Sequence, residues 1–109
     1  MDEREQRLAQ NEALFREVNE RVDAVAHQLG ADVPYEFVCE CSNADCTFRL
    51  TLPTSVYAAV RSDPRQFVLL PLHYTPEIEE LVVQEDTYWV VRKTGDAAEY
   101  VEHLDPRSR

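Results

Sequence analysis

The chain contains only two glycines in 109 residues. A phosphate-cradling loop needs several, because only glycine lets the backbone close on a ligand without a Cβ in the way, so no such motif can be written here. Lysine occurs once, at Lys93, and the other ten basic residues are arginines. Against twenty-one acids they leave a net charge of −10. With no basic cluster to offset it, that charge repels a phosphate backbone and argues against nucleic acid as a partner. The acidity itself serves solubility. No apolar run approaches the roughly 20 residues that span a bilayer. The start, MDEREQRLAQNEALF, is too charged for a signal peptide, so the expected compartment is the cytoplasm and no membrane partner is expected. No Gly-x-Ser-x-Gly elbow surrounds any serine, and no Ser-His-Asp constellation can be read. Cysteine is scarce and odd in number, at three. In a reducing compartment a structural disulfide is disfavoured, and three thiols cannot all pair.

What remains is ordinary for one folded domain: 44% hydrophobic and 29% charged residues. The expected class is α+β, with a long amphipathic helix over 1–30, an α+β core over 34–94 and a polar tail over 95–109. In the first segment Leu8, Phe15, Val18, Val22, Val25 and Leu29 recur at sevens, threes and fours, with Leu14 and Ala26 beside them, and Gly30 is a natural stop. Asn11 interrupts the apolar seam. Either this stripe covers the protein's own sheet, or it pairs with another chain as a homodimer or with a protein partner.

From Pro34 the pattern changes to short strands. YEFVCEC (35–41) and TFRLTL (47–52) read as a hairpin around the cysteines. Thr54 or Ser55 can cap a short helix, SVYAAVR. FVLL (67–70) is a buried-strand candidate. EELVVQ and TYWVVRK read as a second hairpin turning at Glu85-Asp86. A small antiparallel sheet of two hairpins plus one strand is therefore expected, with Tyr35, Phe37, Phe67, Tyr88 and Trp89 in its core. The runs Glu79-Glu80 and Glu85-Asp86 read as solvent-facing, and only a short helix, around Ala97–His103, is expected in the polar tail.

All three cysteines fall in VCECSNADC, spaced C-x-C-x4-C at Cys39, Cys41 and Cys46. Side chains two apart on a strand share a face about 6.6 Å apart at Cα. Two thiolates on one zinc sit closer than that, so the strand end must bend. Ser42, Asn43 and Asp45 are turn formers that supply the bend and return the chain with Cys46 as a third ligand. A tetrahedral site wants a fourth. Of His27, His73 and His103, only His73 lies in the strand-rich part, held between Pro71 and Pro76. Three thiolates and one neutral imidazole on Zn2+ leave a site charge of minus one. The alternatives are three cysteines acting as small buried apolar residues and a loop histidine bonded to a carbonyl.

CECSNADC resembles the zinc knuckle that follows SET methyltransferase domains, which has the same C-x-C-x4-C form and takes its fourth ligand from a distant part of the chain. The resemblance covers eight residues and implies the metal, not the methyl transfer. More broadly, NEALFREVNERV, CECSNADC, SVYAAVRSDPRQF, PLHYTPEIEELV and the terminal DPRS are similar to a family of short actinobacterial proteins, a likeness that lends no activity. The function these readings favour is a small non-enzymatic interaction or regulatory module with a structural zinc on Cys39, Cys41, Cys46 and His73. The alternative is a thiolate-based redox or metal sensor. A zinc hydrolase ranks last, because three thiolates make zinc electron-rich and its water a poor nucleophile.

Overall fold

The computed structural model describes residues 1–30 and 32–108. The long helix forms as α1, Glu3–Leu29. Asp2 caps it from an extended backbone, its Oδ1 accepting the Glu5 N–H at 2.7 Å, while Glu3 and Glu5 place negative charge at the positive helix end. Gly30 closes it at φ 76°, a left-handed conformation that penalises any residue with a Cβ, and its N–H bonds His27 O at 3.1 Å.

The strands form two small antiparallel sheets rather than one. β1 (Pro34–Val38) pairs with β2 (Arg49–Pro53), so the cysteine loop is the connection of this first hairpin. After α2 (Thr54–Arg61), strands β3 (Gln66–Leu69), β4 (Glu79–Gln84) and β5 (Trp89–Lys93) order as β3-β5-β4. The two sheets meet where Glu40 N–H bonds Val68 O at 2.9 Å. Between them lie Phe37, Leu50, Leu52, Tyr57, Val68, Leu69 and Val91, all buried, with Phe37 stacked on Tyr57 at 4.5 Å. Phe67 is buried as expected, but Tyr35, Tyr88 and Trp89 are only partly covered and rim this core. The cap of α2 comes from neither Thr54 nor Ser55. Asp32 Oδ1 reaches in from before β1 and accepts both the Ser55 N–H (3.1 Å) and the Thr54 hydroxyl (3.0 Å), which holds its carboxyl below the usual range.

The face that α1 turns to the protein is not the apolar one. Its buried residues are Ala9, Glu12, Ala13, Arg16, Asn19, Asp23 and Ala26. Leu8, Phe15 and Val22 are half-buried at its margin. Leu14, Val18, Val25 and Leu29 are 60%, 44%, 56% and 67% exposed. At 100° per residue the exposed stripe is centred about 150° from the buried one. The reason lies in what the neighbours offer, which is carbonyls and charges. Arg16 donates to Pro64 O (2.8 Å) and Val101 O (2.7 Å) and lies over the Phe67 ring. Arg61 of α2 pairs with Glu20 at 2.8 Å and with Asp105, and Arg107 reaches Glu20 and Asp23. Small alanines let these polar arms in.

In the polar segment after β5 the expected short helix forms as α3 (Gly95–His103), followed by a 3-10 turn (Pro106–Ser108), and it packs onto the fold by burying Ala97, Ala98 and Val101; Arg109, the end of DPRSR, lies outside the described residues. One further expectation changes: Glu79 does not face solvent. It is buried with Glu12 around the ammonium of Lys93, which is fully buried, pairs with both carboxylates and lies 5.2 Å from the Phe67 ring centroid. A charge pair is invisible to a reading of local sequence when its members, here Glu12 and Lys93, lie 81 residues apart.

Candidate metal centre

β1 ends at Val38, and in the chain just beyond it Cys39 and Cys41 reach the cluster while Glu40 between them turns to Asn19, Tyr57 and Val68. The loop then folds back through an Asx turn: Asn43 Oδ1 accepts the Asp45 N–H and Asn43 O accepts the Cys46 N–H, each at 3.0 Å. This is the bend that the turn formers were expected to make. Opposite, the chain leaving β3 makes a tight turn in which His73 N–H bonds Leu70 O at 3.1 Å. Pro71 presets its first corner, and Leu72 takes the second at φ 73°. That is the position where a type II turn demands positive φ and normally takes glycine. A leucine held there, 81% exposed, is strained by its own Cβ. The turn brings the next residue, His73, to the cysteines.

The four groups converge. Cys39, Cys41, Cys46 and His73 each offer a ligand atom, and these atoms all lie within 4.8 Å of one another. His73 Nδ1 is 3.5 Å from Cys39 Sγ and 3.8 Å from Cys46 Sγ. A tetrahedral zinc with Zn–S of about 2.3 Å and Zn–N of about 2.0–2.1 Å has ligand–ligand edges of about 3.5–3.8 Å. The widest pair therefore closes by at most about 1 Å to hold an ion. His27 and His103 are not members of this group. His27 is exposed on α1 with its Nδ1 at 2.8 Å from Asp23 O, and His103 is exposed at the end of α3.

The electrostatics favour one thiolate among three neighbouring thiols. The Cys41 thiol is pushed down to about 5, foremost by its hydrogen bond with Cys39, and that same bond together with burial pushes Cys39 up. Burial raises Cys46. Three thiols this close cannot all ionise alone, and a bound divalent cation would take the place of the shared protons. The outer shell is already set. Leu70 N–H donates to Cys39 Sγ at 3.2 Å, the Phe48 ring stands edge-on to His73 at 5.8 Å, and Ser42 Oγ lies 2.6 Å from Thr75 Oγ1.

Three residues support this centre in roles the sequence does not suggest: Glu40, which could be read as a base beside a hydrolytic zinc, Asn11, which reads only as a break in the apolar seam, and Asn19. Glu40 is fully buried behind the two cysteines, where its carboxylate accepts from Asn19 Nδ2 (2.9 Å), Tyr57 OH (2.8 Å) and Val68 N–H (3.0 Å); burial still raises its pKa. Asn19 also exchanges two 2.8 Å bonds with the Val38 backbone, and Asn11 donates to Ser42 O at 2.8 Å. Alternation in C-E-C gave the one available signal, since it aims Glu40 away from the metal and into the protein. Among the described residues no helix is long and apolar enough to cross a membrane. No family model, no curated protein and no solved structure matches this chain, so the centre stands on its own geometry.

Proposed function

We propose that this chain is a non-enzymatic interaction module whose tertiary structure is stapled by one zinc ion on Cys39, Cys41, Cys46 and His73. The observation that carries the reading is the imidazole nitrogen at 3.5 and 3.8 Å from two sulfurs that precede it by 34 and 27 residues. These are close to the edges of a ZnS3N tetrahedron, and a set of three thiolates and one imidazole suits zinc. Four protein donors fill a tetrahedral ion and leave no position for a reacting water, which favours a structural role over hydrolysis. Bound there, zinc supplies a cross-link between the first hairpin and the chain leaving β3. The residues of the chain do the rest: Leu70 N–H steadies one sulfur, and Glu40 and Asn19 hold the strand end from behind.

Elemental analysis of protein made without a metal-binding tag tests the reading. Near-stoichiometric zinc is expected, with His73→Ala lowering affinity by about 10- to 100-fold or more and His27→Ala and His103→Ala leaving it unchanged. Less than about a tenth of an equivalent in a folded sample overturns the metal. A redox-sensing role for the same thiolates is favoured by Cys46 alone, the one cysteine of the three that is not fully buried. Zinc release by mild peroxide, reversed by a thiol reductant, would move the proposal to that reading.

A further inference from the structure

We infer that the exposed face of α1 is a two-fold interface, at which a second copy of this chain lays its own α1 antiparallel. The helix is docked inside out: its buried face is ion-paired and hydrogen-bonded, and its apolar face is left to water. Leu14, Val18, Val25 and Leu29 form a stripe about 22 Å long. Half-buried Val22 lies within it, and Tyr35 of β1 joins Val18, Val22 and Val25 to wall a shallow apolar hollow. Monomeric proteins seldom expose a continuous ridge of this kind, and such ridges mark interaction sites.

The spacing fits a second copy of the same helix. The four exposed residues stand at intervals of four, seven and four, a pattern that reads the same from either end. A two-fold axis beside the middle of the stripe, between Arg21 and Val22, sets Leu14 against the partner's Leu29 and Val18 against the partner's Val25. Both pairings then occur twice, as an isologous interface requires. The charges allow the approach as well. In a chain of net charge −10, the stripe from Leu14 to Leu29 carries no acid on its crest, and its one ion is Arg21. The two arginines meet near the axis, where their stems can cover the seam while the guanidinium groups stay in water.

The test is sedimentation equilibrium of the full chain over a dilution series, with zinc content read separately on every sample, since this face contributes no residue to the metal centre. The expected result is a mass that moves from 12.6 kDa toward twice that value with concentration. Val18→Lys and Val25→Glu should each weaken association about tenfold or more, because a charge buried in an apolar seam is costly. Mixed in equal amounts, the two variants should associate again, since the antiparallel register brings the introduced ammonium of one copy to the introduced carboxylate of the other. Both positions are exposed, so far-UV circular dichroism and zinc content should match the parent. A mass that stays at 12.6 kDa at every concentration overturns the interface. Unchanged association of Val18→Lys does the same, and variants that weaken singly but fail to recover together overturn the antiparallel register.

Discussion

Replacing Lys93 with methionine isolates the most demanding electrostatic feature of the fold. The lysine ammonium is fully buried between the carboxyl groups of Glu12 and Glu79, so the substitution keeps the stem and removes the one cation that, among the described residues, pairs with them. Removing one partner of a buried pair costs about 3–5 kcal/mol, because the desolvated charge left behind has nothing to compensate it. At about 4 °C per kcal/mol for a domain of this size, Tm should fall by roughly 12–20 °C. Thermal unfolding of zinc-saturated protein, followed by circular dichroism, measures it. A fall of only a few degrees would mean that water reaches the cluster and that these charges are not desolvated.

The same cluster makes a claim about pH with a definite sign. One ammonium faces two carboxyls, and Glu12 Oε2 has no hydrogen-bond partner among the described residues. Burial, the largest effect, pushes Glu12 well above its ordinary 4.5; Lys93 opposes that and Glu79 adds to it. The folded state therefore holds a proton on Glu12 that the unfolded state releases near pH 4.5. Where the folded state binds more protons, stability declines as pH rises, so this contribution is complete below 4.5 and is lost as pH climbs toward the folded-state value. Glu12→Gln mimics the protonated acid at every pH. Its stability relative to the parent should rise with pH above 4.5, and taking the difference cancels the separate pH dependence of the thiolates. A difference that stays flat from pH 5 to 9 would show that Glu12 is ionised throughout, with Lys93 stabilising it fully.

Two further perturbations probe the supports of the centre. Asn19→Ala strands the Val38 N–H and C=O and one bond to Glu40, so it should lower unfolding free energy by about 3 kcal/mol in urea titration and make zinc easier for a chelator to remove. Leu72→Gly relieves a left-handed leucine whose side chain is almost fully solvated; the relief of about 1–2 kcal/mol, less the glycine's extra unfolded-state entropy, should leave the protein about 0.5–1 kcal/mol more stable with zinc retained. A loss of stability there would show that the leucine side chain carries a contact.

How much of this could be read from the sequence depended on the range of the interaction involved. The Asn43 turn, the C-x-C alternation and the Gly30 stop are local, and each formed where the residues placed it. His73 was accessible by elimination, because the prolines on either side restrict its backbone and the other two histidines sit on helices. Periodicity located the apolar stripe of α1 but could not say which stripe the protein would cover. That choice was made by partners far along the chain: Arg16 by Val101, 85 residues away, Asn19 by Val38 and Glu40, and Glu12 by Lys93. Each of these side chains is unremarkable in its own window, since Glu, Arg and Asn on a helix normally face water. Their burial becomes favourable only once α2, α3 and both sheets present carbonyls and opposite charges at one surface, and no single segment encodes that surface. The same reasoning explains why the apolar stripe can stay outside. The polar contacts on the inner face fix the rotation of α1, so Leu14, Val18, Val25 and Leu29 cannot turn inward without carrying Arg16, Asn19 and Glu12 out to water and leaving the Val101 and Val38 backbone groups, Glu40 and Lys93 buried without these partners, a larger penalty than exposing four aliphatic side chains.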